Sequence, residues 1–137
     1  MCGIAGLHYF SGNCPPDAIT RLSTMSTAMA HRGPDGQGTL LDGPTALAHR
    51  RLAIIDVDDG IQPMSSANGH VHVVYNGEIY NFHELRRELA DYPFRTRCDT
   101  EILLAAYDRW GIEFPARLNG IFAFALWDAR ARRLVLA

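Results

Sequence analysis

The chain begins Met-Cys-Gly-Ile-Ala-Gly, and its second residue is the first with a chemistry to consider. A thiol with a pKa of about 8.5 needs a base or a positive surrounding to act as a nucleophile near pH 7. Removal of Met1 would supply one. Cys2 would then carry a free α-amino group, whose pKa of about 7.7–8.0 makes it a mild base. Gly3 leaves the next backbone position unobstructed. On these six residues alone, an inert cysteine after Met1 is the simpler reading.

A second stretch, "YNGEIYN", runs from Tyr75 to Asn81. Asn76-Gly77 after a strand-like run signals a tight turn. The same pair has the makings of an oxyanion hole, with the Asn76 side-chain NH₂ and the Gly77 backbone N–H aimed at one developing negative charge. A third stretch, "LAHRRLAIID", runs from Leu47 to Asp56, and Arg50 and Arg51 interrupt its apolar pattern. An arginine inside such a run needs a partner. Either the two are surface residues on alternating faces, or one forks onto a substrate carboxylate. Asp99 sits where a helix through Trp110 should start, which predicts an N-cap. It is also a candidate acceptor for a substrate ammonium. An arginine and an aspartate across a pocket would recognise an amino-acid zwitterion.

Other groups carry less. His70-Val71-His72 puts two imidazoles on one face of a strand without a third ligand, which reads as an exposed face. Asp56, Asp58 and Asp59 read as a solvated loop, and Arg130, Arg132 and Arg133 as a turn cluster. There is no GxxxxGK[ST] or GxGxxG motif, so no ATP site is expected in this chain.

The elements that must position these residues follow from periodicity. "GIAGLHYF" reads as a first strand, closed by Gly12 and Pro15-Pro16. Ile19, Leu22, Met25 and Met29 recur at helical spacing between Asp17 and Ala30, and "HRGPDG" then ends the helix. "GTLLDGPTALAHRRLAII" reads as two strands around an Asp42-Gly43 turn. "VHVVYNGEIYN" is a strand, and Phe82 to Ala90 a short helix with Leu85 and Leu89 facing inward. "GIFAFALWD" and "RRLVLA" are strands joined over "DARAR". Hairpins with helices clustered between strand groups predict an α+β fold.

At 137 residues the chain has room for one domain with a core. Its net charge of −2 provides no basic field for nucleic acid or an anionic membrane. Three cysteines without a CxxC pair argue against a disulfide framework or structural zinc, and hence for a reducing cytoplasm. No signal-peptide pattern opens the chain, and no apolar run nears the roughly 20 residues that span a bilayer. The chain stops at Ala137 inside an apolar strand, which reads as a fragment of a longer protein.

"MCGIAG", "HRGPDG", "LAHRRLAIID", "QPM", "VYNGEIYNF", "DTEI" and "LNGIFAFALWD" follow one another in that order. Together they resemble the N-terminal glutaminase domain of glutamine-hydrolysing asparagine synthetases, class II glutamine amidotransferases of the N-terminal-nucleophile hydrolase superfamily. The resemblance implies a four-layer αββα sandwich, with residues 1–137 an incomplete glutaminase domain. It implies Cys2 as nucleophile with its own α-amino group as base, and Asn76 and Gly77 as the oxyanion hole. Arg51, rather than Arg50, would hold the glutamine α-carboxylate. Leu52, Ala53, Ile54, Ile55, Glu78 and Asp99 would complete the L-glutamine pocket. No metal or cofactor is implied for this domain. ATP and Mg are implied for a synthetase domain C-terminal to Ala137, which would consume the ammonia, and the resemblance leaves room for a homodimer. Three other readings stay open: the same glutaminase serving another acceptor in secondary metabolism or cell-surface pathways, a non-catalytic glutamine-binding module, and a hydrolase of another amide.

Overall fold

The computed structural model describes residues 2–52 and 60–137. In chain order its elements are strand β1 (Gly3–His8), helix α1 (Ala18–Ala28), strands β2 (Gly36–Asp42), β3 (Thr45–Arg51), β4 (Met64–Ser65) and β5 (Val71–Ile79), helices α2 (Phe82–Glu88) and α3 (Thr100–Trp110), and strands β6 (Gly120–Asp128) and β7 (Arg133–Leu136). A 3₁₀ helix, Gly111–Arg117, follows α3. No helix among the described residues is long and apolar enough to cross a membrane.

The strands form two sheets, ordered β1-β3-β2 and β4-β5-β6-β7, with every pair antiparallel. Side chains alternate across a strand with a period of two, and this decides the layering. In β3, Ala46 and Ala48 pack with Leu22 of α1, while Leu47 faces the other sheet. In β5 and β6, Val74, Ala125 and Trp127 meet Leu47 between the sheets, and Val73, Tyr75, Phe124 and Leu126 pack against α2 and α3. The order is therefore helix, sheet, sheet, helices: the expected αββα sandwich. Strands covered on both faces read as near-continuous apolar runs, which is why "GIFAFALWD" shows no polar alternation.

Three local expectations are corrected. Asn76-Gly77 is no turn: β5 runs straight through it, pairing Asn76 with Ala123 and Gly77 with Phe122. Glycine is required there by close approach, since a Cβ on Gly77 would lie 2.4 Å from the Ile121 carbonyl oxygen. Ile19 is 45% exposed, and the buried face of α1 is Ala18, Leu22 and Ser26, small enough to sit close on Ala46 and Ala48. His70 is exposed as expected, but His72 is buried on β5, its Nδ1 2.8 Å from the Ser65 hydroxyl. The Asp42-Gly43 hairpin and the turn before Arg133 form where expected. Asp56, Asp58 and Asp59 lie outside the described residues, as does Met1.

Candidate functional site

Strand register brings the dispersed candidates together. Gly3 pairs with Arg50, so Cys2 falls beside the end of β3. The Leu52 backbone N–H points at the Cys2 Sγ at 3.4 Å. Arg32, from "HRGPDG", donates its Nε–H to the Cys2 carbonyl at 3.1 Å. Alternation along β3 sends the two arginines apart. Arg50 turns to α1 and donates to the Ser26 carbonyl and hydroxyl, both at 3.0 Å. Arg51 turns into a cavity of about 450 Å³ that Cys2 also lines. Its guanidinium lies close enough to Gly60 that a Cβ there would sit 2.9 Å from Nη2.

Leu52, Asn76, Gly77, Glu78 and Asp99 line the same cavity. Ala53, Ile54 and Ile55 lie outside the described residues. Along an antiparallel strand, backbone N–H groups alternate sides. The Tyr75 N–H donates to Gln62 Oε1 at 2.6 Å and the Ile79 N–H to Asp99 Oδ2 at 3.1 Å, both on the edge of β5 that faces away from β6. The Gly77 N–H, between them in register, points to that edge and so into the cavity.

Asp99 corrects another expectation. It stands at the start of α3 with helical φ −68° and ψ −24°, and its side chain makes no cap bond. Its Oδ2 instead accepts from the Tyr75 hydroxyl at 2.6 Å and from Ile79 N–H. The fully buried Glu101, two residues later in the first turn of α3, takes the Arg95 and Thr96 N–H groups and the Thr96 hydroxyl, anchoring the segment that leads into Asp99.

Four further cavity residues, His49, Gln62, Tyr75 and Thr100, were not singled out from the sequence. His49 and Gln62 fall within "LAHRR" and "QPM", the only signal that marked them. Gln62 bridges Tyr75 N–H to the Thr100 hydroxyl, to which its Nε2 donates at 3.3 Å. His49, 1% exposed, crosses between the sheets, with Nε2 3.2 Å from the Tyr75 carbonyl. Burial pushes its pKa down to about 4; the bond to Tyr75 opposes this, and Arg51 adds to it.

The His49 pKa sets a pH dependence. The folded pKa lies below the ordinary 6.5, so between the two values the unfolded chain binds the extra proton. His49 contributes its full stability above pH 6.5 and loses it as pH falls through about 4, a change of roughly 3 kcal/mol. His72, also lowered by burial, acts in the same direction. Urea unfolding at pH 7 and pH 4.5 should show this loss, and His49→Gln should flatten it.

The whole chain, residues 1–137, matches the model of the glutamine amidotransferase domain family. It is 39% identical to asparagine synthetase [glutamine-hydrolyzing] 1 of Arabidopsis thaliana, over all of this chain and 23% of that protein. It is 40% identical to the Saccharomyces cerevisiae protein of the same name, over all of this chain and 24% of that one. The corresponding Bacillus subtilis protein is 39% identical over 93% of this chain and 21% of its own length. The chain thus spans about a quarter of these relatives. Among solved structures, the glutamine phosphoribosylpyrophosphate amidotransferase from B. subtilis superposes with a TM-score of 0.71 at 21% identity, over 94% of this chain and 35% of that one.

Proposed function

The chain belongs to the glutamine amidotransferase domain family, and from that premise we propose that Cys2 hydrolyses glutamine to glutamate and ammonia in the cavity between β3, β5 and α3. The observation that carries this is the convergence of Cys2, Arg51, Asn76, Gly77 and Asp99 on one cavity from four separate stretches of chain. Arg51 forks onto the α-carboxylate, and Asp99 with Glu78 takes the α-ammonium, which orients the side-chain amide toward Cys2. With Met1 removed, the α-amino group of Cys2 accepts the thiol proton. The thiolate attacks the amide carbon, and the oxyanion rests on the Asn76 side-chain NH₂ and the Gly77 N–H. The C–N bond breaks, the ammonium at Cys2 returns the proton to the leaving amine, and ammonia departs. Water then hydrolyses the γ-glutamyl thioester and restores the thiol.

In the full-length protein the ammonia serves ATP-dependent synthesis of asparagine from aspartate. Support for this acceptor is the likeness to three proteins named as glutamine-hydrolysing asparagine synthetases. ATP and Mg²⁺ belong to a synthetase domain C-terminal to Ala137.

The test is release of glutamate and ammonia from glutamine by the full-length protein; no release at saturating glutamine would overturn the reading. Arg51→Ala should raise KM for glutamine about 10–100-fold with kcat within a few-fold, because it removes a charge-assisted contact common to ground and transition states. A fall in kcat at unchanged KM would remove Arg51 from the carboxylate role.

A further inference from the structure

We infer that Tyr75 is a positioning residue whose hydroxyl aims the Asp99 carboxylate at the α-ammonium of the substrate and so sets selectivity for an α-amino acid amide. This deepens the glutaminase reading and rests on it for the identity of the ligand.

Tyr75 is 3% exposed, and each of its polar groups has a partner. Its N–H goes to Gln62 Oε1, its carbonyl faces His49 Nε2, and its hydroxyl donates to Asp99 Oδ2 at 2.6 Å. The strand is thus held from three directions at the residue directly before Asn76. Alternation gives the next two side chains separate tasks. Tyr75 faces α3 and reaches Asp99, whereas Asn76 faces the sheet that carries Cys2.

The Asp99 side explains what the hydroxyl does. Oδ2 accepts both the Tyr75 hydroxyl and the Ile79 N–H, two anchors on one strand that bracket Asn76 and Gly77. With Oδ2 pinned, the plane of the carboxylate is fixed. Oδ1 accepts no hydrogen bond among the described residues, and Asp99 lines the cavity. The oxygen left for a ligand ammonium is therefore held at a set place relative to the Gly77 N–H. Burial, then the hydrogen bond and charge of Asp99, push the Tyr75 phenol far above its ordinary range, so it remains a donor at any working pH. The ring packs in the cluster between β5 and the outer helices. It keeps that place without its hydroxyl, which makes Tyr75→Phe a clean deletion of one bond.

A strut that merely joined β5 to α3 would affect every ligand of the cavity alike. A device that aims Asp99 would affect only ligands with an α-ammonium. The experiment is calorimetric titration of the full-length protein, in a Cys2→Ala background to prevent turnover, with glutamine and with 4-carbamoylbutanoate, which is glutamine without its α-amino group. Tyr75→Phe should weaken glutamine about tenfold and leave 4-carbamoylbutanoate within about twofold. Asp99→Asn should reduce the same preference at least as much, with Glu78 still in place, and adding Tyr75→Phe to it should change little more. With Cys2 intact, Tyr75→Phe should raise KM and leave kcat within about threefold. Equal weakening of both ligands, or no weakening of glutamine, overturns the inference. The hydrolytic reading fails separately: glutamine bound but never turned over sinks that reading, while the ratio of the two affinities still decides Tyr75. A protein that binds neither ligand sinks both.

Discussion

Cys2→Ala is expected to lower glutamine turnover by about 10⁴-fold or more while glutamine still binds within a few-fold. The asymmetry follows from what the thiol touches. In the proposed clamp Arg51, Glu78 and Asp99 hold the ends of the zwitterion, and none of them has a hydrogen bond to Sγ among the described residues. The polar neighbour of Sγ is the Leu52 main chain, with the N–H at 3.4 Å and the carbonyl at 3.9 Å. The backbone there is set by β1–β3 pairing instead, with Gly3 opposite Arg50. Removing the sulfur takes away the bond-forming atom and leaves the clamp. Intact mass before and after treatment with a diazo-ketone glutamine analogue checks this. The wild type should have lost Met1 and gain one adduct, and Cys2→Ala should gain none. Cys98 lines the same cavity, so the adduct must also be mapped. An adduct on Cys98, or on the Cys2→Ala protein, would move the nucleophile away from Cys2. Retention of Met1 would leave the thiol without its base.

How far the sequence discloses this site depends on whether a residue's task is local. The sheets were legible because Leu47, Val74 and Phe124 sit in apolar runs whose length and punctuation mark strands covered on both faces. The ordered motifs marked Cys2, Arg51, Asn76, Gly77, Glu78 and Asp99, which line one cavity, and the choice of Arg51 over Arg50 agrees with strand alternation, which sends Arg51 into that cavity and Arg50 to α1. Local propensity misled where a tertiary partner outweighed it. Asn76-Gly77 has turn chemistry, but pairing with Ala123 and Phe122 holds it extended. Asp99 has N-cap chemistry, but the Tyr75 hydroxyl and Ile79 N–H draw its carboxylate onto β5. Ile19 has the right spacing for a buried stripe, but α1 rests on Ala46 and Ala48 and turns its small residues inward. His49, Gln62 and Tyr75 were illegible for a related reason. Their contacts join β3 to β5 and the segment before β4 to α3, and the registers that create such contacts are set only when the sheets stack.

Asn76→Ala is expected to lower kcat about 10²- to 10³-fold with KM for glutamine changed little. In the proposed oxyanion hole, the side-chain NH₂ of Asn76 contributes little toward a neutral amide oxygen. Its contribution grows as the oxygen gains charge, so the loss falls on the transition state. Two features of β5 make alanine here a test of chemistry. Asn76 pairs with Ala123 through its backbone, which alanine preserves, and Tyr75 beside it is held by Gln62, His49 and Asp99, none of which contacts the Asn76 side chain in these bonds. The Gly77 N–H therefore keeps its aim, and one donor of two remains. That predicts a residual rate well above the one left by Cys2→Ala, where the reacting atom itself is gone. The measurement is kcat at saturating glutamine for both variants, with the thermal midpoint as a control on folding. Turnover by Asn76→Ala equal to wild type would take the oxyanion role from Asn76. Turnover as low as that of Cys2→Ala, with the fold intact, would mean that the Gly77 N–H contributes nothing on its own.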